Sequence, residues 1–552
     1  MNRVKKNNKN WWRGAVIYQI YPRSFNDTSG NGVGDLQGIT EKLPYIADLG
    51  VDGIWISPFL KSPQADYGYD IADYYAVDPL FGNLDDFKTL LEKAHDLGLK
   101  LIMDMVLSHT SDRHAWFNES KQDRTNPKAD WYVWADPKPD GSPPNNWQSV
   151  FGGPAWQYYP LRGQYYLHNF LKEQTDLNYH NPDVMEAMLA ACRHWLDFGV
   201  DGFRLDAVNF CMHDPQLRDN PPKDPAHSST QLEFPDAYSM QAHIYSKSQP
   251  ENIEFMRKIR ALLNEYEGRF ALAEIGCDRP VETAALYTCD DTLLHTAYSF
   301  DLMANKGPMP GAQLFKDVLG AQKQEPGDSW PSWAFSNHDV VRAASRWSGG
   351  YYTHIPALSK MLPVLLASLR GTAFLYQGDE LGLPEADIPF ERLCDPWGQY
   401  LWPKWQGRDG CRTPIPWSAK ERNAGFSRAE NTWLPIPETH LELCVANQEE
   451  MENSALQSTR RFLNWRKDQS ALIDGDLTFI DGDLPSHILA FTRENEEQKI
   501  LCVFNLSGED QTIPLESLFL SSAPQTLFSA TDTKISGQNI SLPAYGYVFV
   551  KA

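Results

Sequence analysis

LDDFKTLLEKAHDLGLKLIMDMVLSH, residues 84–109, contains the pattern that decides the fold. Leu84, Phe87, Leu91 and Ala94 fall on one face at helical spacing, and Gly98 stands just past the last of them as a stop signal. The run that follows, KLIMDMV at 100–106, is short and apolar and ends in polar residues, which predicts a strand. Similar runs recur along the chain: AVIYQIYP (15–22), GIWISP (53–58), GFRLDAV (202–208), FALAEIG (270–276), AYSFD (297–301), WAFSNHD (333–339) and TAFLYQGDE (372–380). Helical stretches such as ITEKLPYIADLG (39–50) separate several of them. Strands alternating with helices make a parallel sheet, and eight of them close a barrel. The predicted fold is therefore α/β, a (β/α)8 TIM barrel.

One interval is too long for that pattern. Between Val106 and Gly202 lie almost a hundred residues rich in Trp, Asn, Pro and Asp, which predicts a small domain inserted after strand three, at 107–175. The barrel then takes residues 1–106 and 176–474. From 475 to 552 the texture changes to LTFI, HILAFTRE, KILCVFNLS and YGYVFVKA with no helices between them, an antiparallel C-terminal β-sandwich domain. Long loops at 209–250 and 380–440 belong on the C-terminal rim of the barrel, where such loops shape a substrate pocket.

The 552 residues are 42% apolar, enough for a sizeable core, which excludes an intrinsically disordered chain. Fifty basic residues against 72 acidic ones give a net charge of −22. Such a surface repels phosphate backbones and anionic lipid, so neither nucleic acid nor a membrane is expected as a partner. The basic start, MNRVKKNNKNWW, has no apolar stretch behind it, and no run of 18 apolar residues occurs, so neither a signal peptide nor a spanning helix is expected. Eight cysteines without a CxxC pair read as scattered, reduced thiols rather than zinc ligands, and the expected setting is cytoplasmic.

In a barrel the reactive side chains gather at the C-terminal ends of the strands. Those ends carry Asp104 and then His109 on strand three, Arg204 and Asp206 on strand four, Glu274 on strand five, and Asn337, His338 and Asp339 on strand seven. Arg204 and Asp206 lie two apart and share a face, and taken alone they read as readily as an ordinary ion pair. Asp206, Glu274 and Asp339 together, each from a separate strand end, are costly to bury at one mouth and suit glycoside chemistry. An ionised carboxylate attacks the anomeric carbon while a protonated one donates to the leaving oxygen, and a separation of ~5–5.5 Å gives retention through a covalent intermediate. Arg204 is expected to hold the pKa of Asp206 low, and the apolar run before Glu274 to raise that of Glu274, which makes Asp206 the nucleophile and Glu274 the acid.

DMVLSH (104–109), GFRLDAVNF (202–210), ALAEIG (271–276) and FSNHD (335–339), in this order, resemble the four motifs of the α-amylase family of glycoside hydrolases, glycoside hydrolase family 13. QTDLN (174–178) resembles the extra motif of its oligo-1,6-glucosidase subfamily, and the likeness runs from about residue 11 to the C-terminus. The resemblance implies that Asp206 is the nucleophile and Glu274 the general acid/base, with Asp339 gripping sugar hydroxyls and favouring an oxocarbenium-like ring. It implies that His109 and His338 bond hydroxyls of the sugar in the −1 site and that Arg204 is the family's arginine. Asp66 and Tyr69 in ADYGYD, with Arg412 in GCRTPIPW, match residues that hold the non-reducing end of the glucose. Phe151 and Phe170 either line the pocket or pack a Trp-rich insert. In the subfamily Val after the nucleophile goes with α-1,6 cleavage and a smaller or polar residue, here Ala207, with α-1,4 cleavage. The implied activity is that of a retaining, exo-acting α-glucosidase of short α-1,4 substrates such as maltose that also transfers glucose. A dedicated α-glucosyltransferase or sucrose-processing enzyme is the alternative.

The sequence departs from the family pattern at Ser108, where the family has Asn before His, and a local rearrangement is expected there. SFNDTSGNGVGDLQG (24–38) resembles a calcium-type loop, with Asp27, Ser29, Asn31, the Val33 carbonyl and Asp35 as oxygen ligands. It is either a weak structural Ca2+ or Mg2+ site or a plain Gly/Asn/Asp turn. The chemistry itself requires no cofactor.

Overall fold

A computed structural model describes residues 8–223, 236–277, 279–303, 307–324 and 329–552. Eight parallel strands close a barrel in chain order: β1 (Val16–Ile20), β2 (Gly53–Ile56), β3 (Lys100–Val106), β4 (Gly202–Asp206), β5 (Phe270–Ile275), β6 (Thr296–Ser299), β7 (Trp330–Ala334) and β8 (Thr372–Tyr376), with β8 pairing back to β1. The expected runs overreach at the functional end. Strand β7 stops at Ala334, so Asn337, His338 and Asp339 lie on the loop beyond it, where the Asn337 side chain accepts the Asp339 amide in a tight turn.

The two-residue alternation of the strands sorts the barrel into layers. Ile17, Trp55, Ile102, Phe270, Leu272, Tyr298, Trp330 and Phe374 form one buried cluster that fills the interior. Trp11 and Trp12 join it against Phe270, at the start of β5. The intervening residues Leu101, Met103, Phe203, Leu205, Ala271 and Ala273 belong to the larger cluster shared with the surrounding helices. Following the inward face to the ends of β3, β4 and β5 therefore leads from apolar residues to Asp104, Arg204, Asp206 and Glu274.

The first barrel helix, Leu36–Leu49, begins earlier than its apolar pattern because the Asp35 side chain accepts the Gly38 amide and caps it. The helix Leu84–Asp96 buries Phe87, Leu90, Leu91 and Ala94. Leu84, expected on that face, is instead exposed in the first turn, next to a capping box made by Asn83 and Asp86. Gly98 adopts φ 77°, the left-handed conformation that ends the helix.

In the inserted segment, Trp134–Ala135, Gln164–Leu167 and Trp156–Tyr159 form a three-stranded sheet. His109–Ser111 pairs antiparallel with Gln174–Asp176, with Asp176 opposite His109, so the QTDLN segment lies against the DMVLSH segment. Of the long loop expected at 209–250, residues 224–235 lie outside the described residues.

The C-terminal region packs a five-stranded antiparallel sheet on a three-stranded one through Ile488, Val503 and Val548 on one side and Ile513, Leu515 and Ile540 on the other. The opposite face of the larger sheet, with Phe491, Phe504 and Phe549, packs on the barrel through Phe462. Arg493 is buried at that seam and donates to the carbonyls of Ser368, Leu369 and Gly475. All eight cysteines are unbridged. Among the described residues no helix is long and apolar enough to cross a membrane.

Candidate active site

A cavity of about 500 Å3 opens at the C-terminal ends of the barrel strands, and Asp206, Glu274 and Asp339 all line it. Asp66, Tyr69, His109, Phe151, Phe170 and Ala207 line it as well, whereas Arg204, His338 and Arg412 lie buried behind its wall. Arg204 ties two of the acids together. Its Nη1 donates to Asp104 Oδ1 at 2.8 Å and Asp206 Oδ1 at 2.5 Å, and its Nη2 lies 2.6 Å from Glu274 Oε2.

That geometry corrects the electrostatic expectation for Asp206. Burial pushes the Asp206 carboxyl upward and outweighs Arg204, so it does not sit at an ordinary low value. Burial likewise raises Glu274 to about 7 against the pull of the same guanidinium. One arginine serves both acids, so its presence beside Asp206 in sequence does not distinguish their roles. Asp339 differs. Burial raises it, but His338, protonated in the acid range where Asp339 titrates, and the Arg408 and Arg412 guanidiniums overcome that and hold it well below the carboxylate range. Its Oδ1 lies 2.9 Å from Arg412 Nη2 and 3.2 Å from Arg408 Nη1.

Arg408 is the main residue that sequence reasoning missed. Its Nη2 donates to Asp66 Oδ1 at 2.9 Å and to Asp395 Oδ1 at 2.8 Å, and its guanidinium lies 5.0 Å from the Phe151 ring centre. Arg412, expected to share that corner with Asp66, instead bonds the His338 carbonyl through Nε at 2.7 Å and braces Asp339. The two arginines stand four residues apart at either end of the single 3-10 turn Asp409–Cys411, too short for any periodicity to say which one faces inward. Gln174 was missed too: its Nε2 donates to Asp66 Oδ2 at 3.2 Å.

The two histidines are neutral for the same reason: burial lowers His109 to about 4 and His338 to about 3. Tyr69 stacks on the His338 ring at 5.4 Å and its hydroxyl meets Nε2 at 2.5 Å, while the Gln19 amide reaches Nδ1 at 2.8 Å. At the family departure, the Ser108 hydroxyl bonds His109 Nδ1 at 3.0 Å, and His109 Nε2 donates to the Tyr69 carbonyl at 3.0 Å. Phe170 packs against His109 at 5.2 Å and Phe151 at 5.9 Å, so both phenylalanines are pocket wall and packing at once. Ala207 has φ 39°, a left-handed backbone that a β-branched residue adopts only under strain, and its amide donates to Glu274 Oε2 at 3.2 Å.

The loop read as a cation site closes on itself. Asp27 Oδ1 accepts from the Ser29 hydroxyl and the Gly30 amide, and its Oδ2 from the Gly32 amide and the Ser427 hydroxyl. Asp35 caps the first helix and accepts from the Thr28 and Ser29 amides, and the Asn31 carbonyl oxygen accepts the Val33 amide. Both carboxylates of the loop are therefore hydrogen-bonded within the protein.

Residues 19–475 match the alpha amylase catalytic domain family, and residues 477–549 match the maltogenic amylase C-terminal domain. The chain belongs to the α-amylase family. This α-amylase-family chain is 49% identical over 545 residues to a probable alpha-glucosidase of Rhizobium meliloti (strain 1021), covering 98% of this chain and 97% of that one. It is 37% identical to an oligo-1,6-glucosidase of Heyndrickxia coagulans, over 90% of this chain and 92% of its relative. Among solved structures it superimposes on an alpha-glucosyl transfer enzyme with a TM-score of 0.91 at 51% identity, over 98% and 99% of the two chains. The α-amylase-family chain is thus a glycoside hydrolase of the glucosidase kind.

Proposed function

We propose that the protein is a retaining, exo-acting α-glucosidase that cuts short α-1,4 glucosides such as maltose and transfers glucose to small acceptors. The observation that carries this reading is the single guanidinium of Arg204 holding an oxygen of both Asp206 and Glu274, at 2.5 and 2.6 Å. Acids gripped by one arginine stand close, which favours the ~5–5.5 Å spacing of a retaining pair over the wider gap that an inverting enzyme leaves for water.

In this reading Asp206 attacks the anomeric carbon and forms a β-glucosyl ester as the glycosidic C–O bond breaks, and the proton on Glu274 passes to the departing oxygen. Glu274, now ionised, takes a proton from water or an acceptor hydroxyl, whose oxygen attacks the same carbon and frees Asp206. Asp339, held ionised by Arg412 and Arg408, faces the glucose hydroxyls, and Asp66 with Arg408 closes the pocket at the non-reducing end, which supports exo action. No step calls for a cofactor. Ala207 supports the α-1,4 preference, because a small side chain leaves room beside Glu274. Unbridged thiols accord with a reducing cytoplasm.

A second reading, a dedicated α-glucosyltransferase or sucrose-processing enzyme, is favoured by the 51% identity to the alpha-glucosyl transfer enzyme. Product partition from maltose, isomaltose and sucrose, with and without glycerol, separates the two. We expect maltose to turn over faster than isomaltose and sucrose, with glucose released without glycerol and part of it diverted when glycerol is present. Negligible glucose release until an acceptor is added, or sucrose as the best substrate, would establish the second reading instead.

A further inference from the structure

Tyr298 belongs to none of the sequence motifs, yet it occupies the position on β6 that is in register with Glu274 on β5. It is buried inside the barrel beside Trp55, Phe300 and Phe374, at ring distances of 6.5, 6.1 and 6.2 Å. Its hydroxyl lies 3.2 Å from Arg204 Nη2 and 3.2 Å from Glu274 Oε1. A guanidinium has only donors, so Arg204 donates to the phenol oxygen, and the one phenol proton is left for Glu274. The other donors reaching Glu274, Arg204 Nη2 and the Ala207 amide, both address Oε2. Tyr298 thus holds the opposite oxygen and fixes the rotation of the carboxyl group.

We infer that Tyr298 is a positioning residue for Glu274: its hydroxyl orients the carboxyl group and stabilises the ionised form that waits for an acceptor proton. The inference rests on the reading of Glu274 as general acid/base. A hydrogen bond donated to a carboxylate favours the charged form and lowers the pKa, so deleting the donor raises it. Glu274 would then keep its proton to higher pH, so that at a given pH less of it is ionised to take the acceptor proton in the second half-reaction.

The test is the pH dependence of kcat/KM and kcat on maltose for the wild-type enzyme and Tyr298→Phe, which keeps the ring and its packing. We expect the basic limb of kcat/KM to move upward by about 0.5–1 pH unit, the size of one lost hydrogen bond, with the acidic limb in place. We expect kcat to fall about 3- to 10-fold with little change in KM. Added to Glu274→Gln, Tyr298→Phe should bring no further loss, because its effect passes through that carboxylate. An unmoved basic limb, or a full additional loss in the double variant, overturns the inference. Failure of the underlying reading shows elsewhere: Glu274→Gln alone would then slow good and poor leaving groups equally.

Discussion

Replacing Asp206 by Asn is expected to lower kcat on an aryl α-glucoside by about 10⁴-fold or more, a barrier increase of about 5.5 kcal/mol, with the fold intact. The amide is nearly isosteric with the carboxylate but is not a nucleophile towards an anomeric carbon, so no glucosyl ester forms. The fold should survive because Arg204 keeps Asp104 as an ion-pair partner and Glu274 as a further carboxyl contact when Asp206 becomes neutral. Losing one of several partners is far milder than stranding a buried charge. Circular dichroism should therefore give the wild-type far-UV spectrum and a cooperative melt. A folded variant that retains more than a few per cent of wild-type activity would remove Asp206 from the nucleophile role.

Glu274→Gln is expected to split substrates by leaving group. On maltose, whose departing sugar alkoxide needs a proton, kcat/KM should fall about 10²- to 10⁴-fold, the usual contribution of general acid catalysis. On a dinitrophenyl α-glucoside, whose phenolate leaves without protonation, kcat/KM should stay within about tenfold of wild type. Glu274 has the required setting: burial raises it to about 7, so a proton is available near neutral pH, and it lines the cavity together with Asp206. Single-turnover rates on the two substrates measure the split directly. Equal losses on both would assign Glu274 a binding role and leave the acid to be found elsewhere.

The barrel was legible because its signal is periodic. Strand alternation alone directs Arg204 and Asp206 inward together and brings Glu274 to the end of the next strand, and the structure gathers Asp206, Glu274 and Asp339 around one cavity. What escaped was cross-strand or aperiodic. Arg204 is a sequence neighbour of Asp206 but also reaches Glu274 on the adjacent strand, so a reading limited to neighbours along the chain credited it to one acid. Arg408 and Arg412 sit in a loop whose path depends on tertiary contacts, and the residue facing Asp66 proved to be Arg408. Tyr298 lay within a recognised strand run, but only the register with Glu274 reveals its partner. The Asp27–Asp35 loop carries oxygen atoms at cation-like spacing, and only the structure shows which donors, the Gly30, Gly32 and Gly38 amides among them, meet its two carboxylates.

The central claim is double displacement by two carboxylates on one sugar carbon, and the configuration of the first product tests it most directly. Proton NMR of maltose hydrolysis, recorded before the released sugar mutarotates, should show glucose from the non-reducing unit emerging as the α anomer. Initial release of that glucose as the β anomer would mean a single inverting attack by water and would contradict the account.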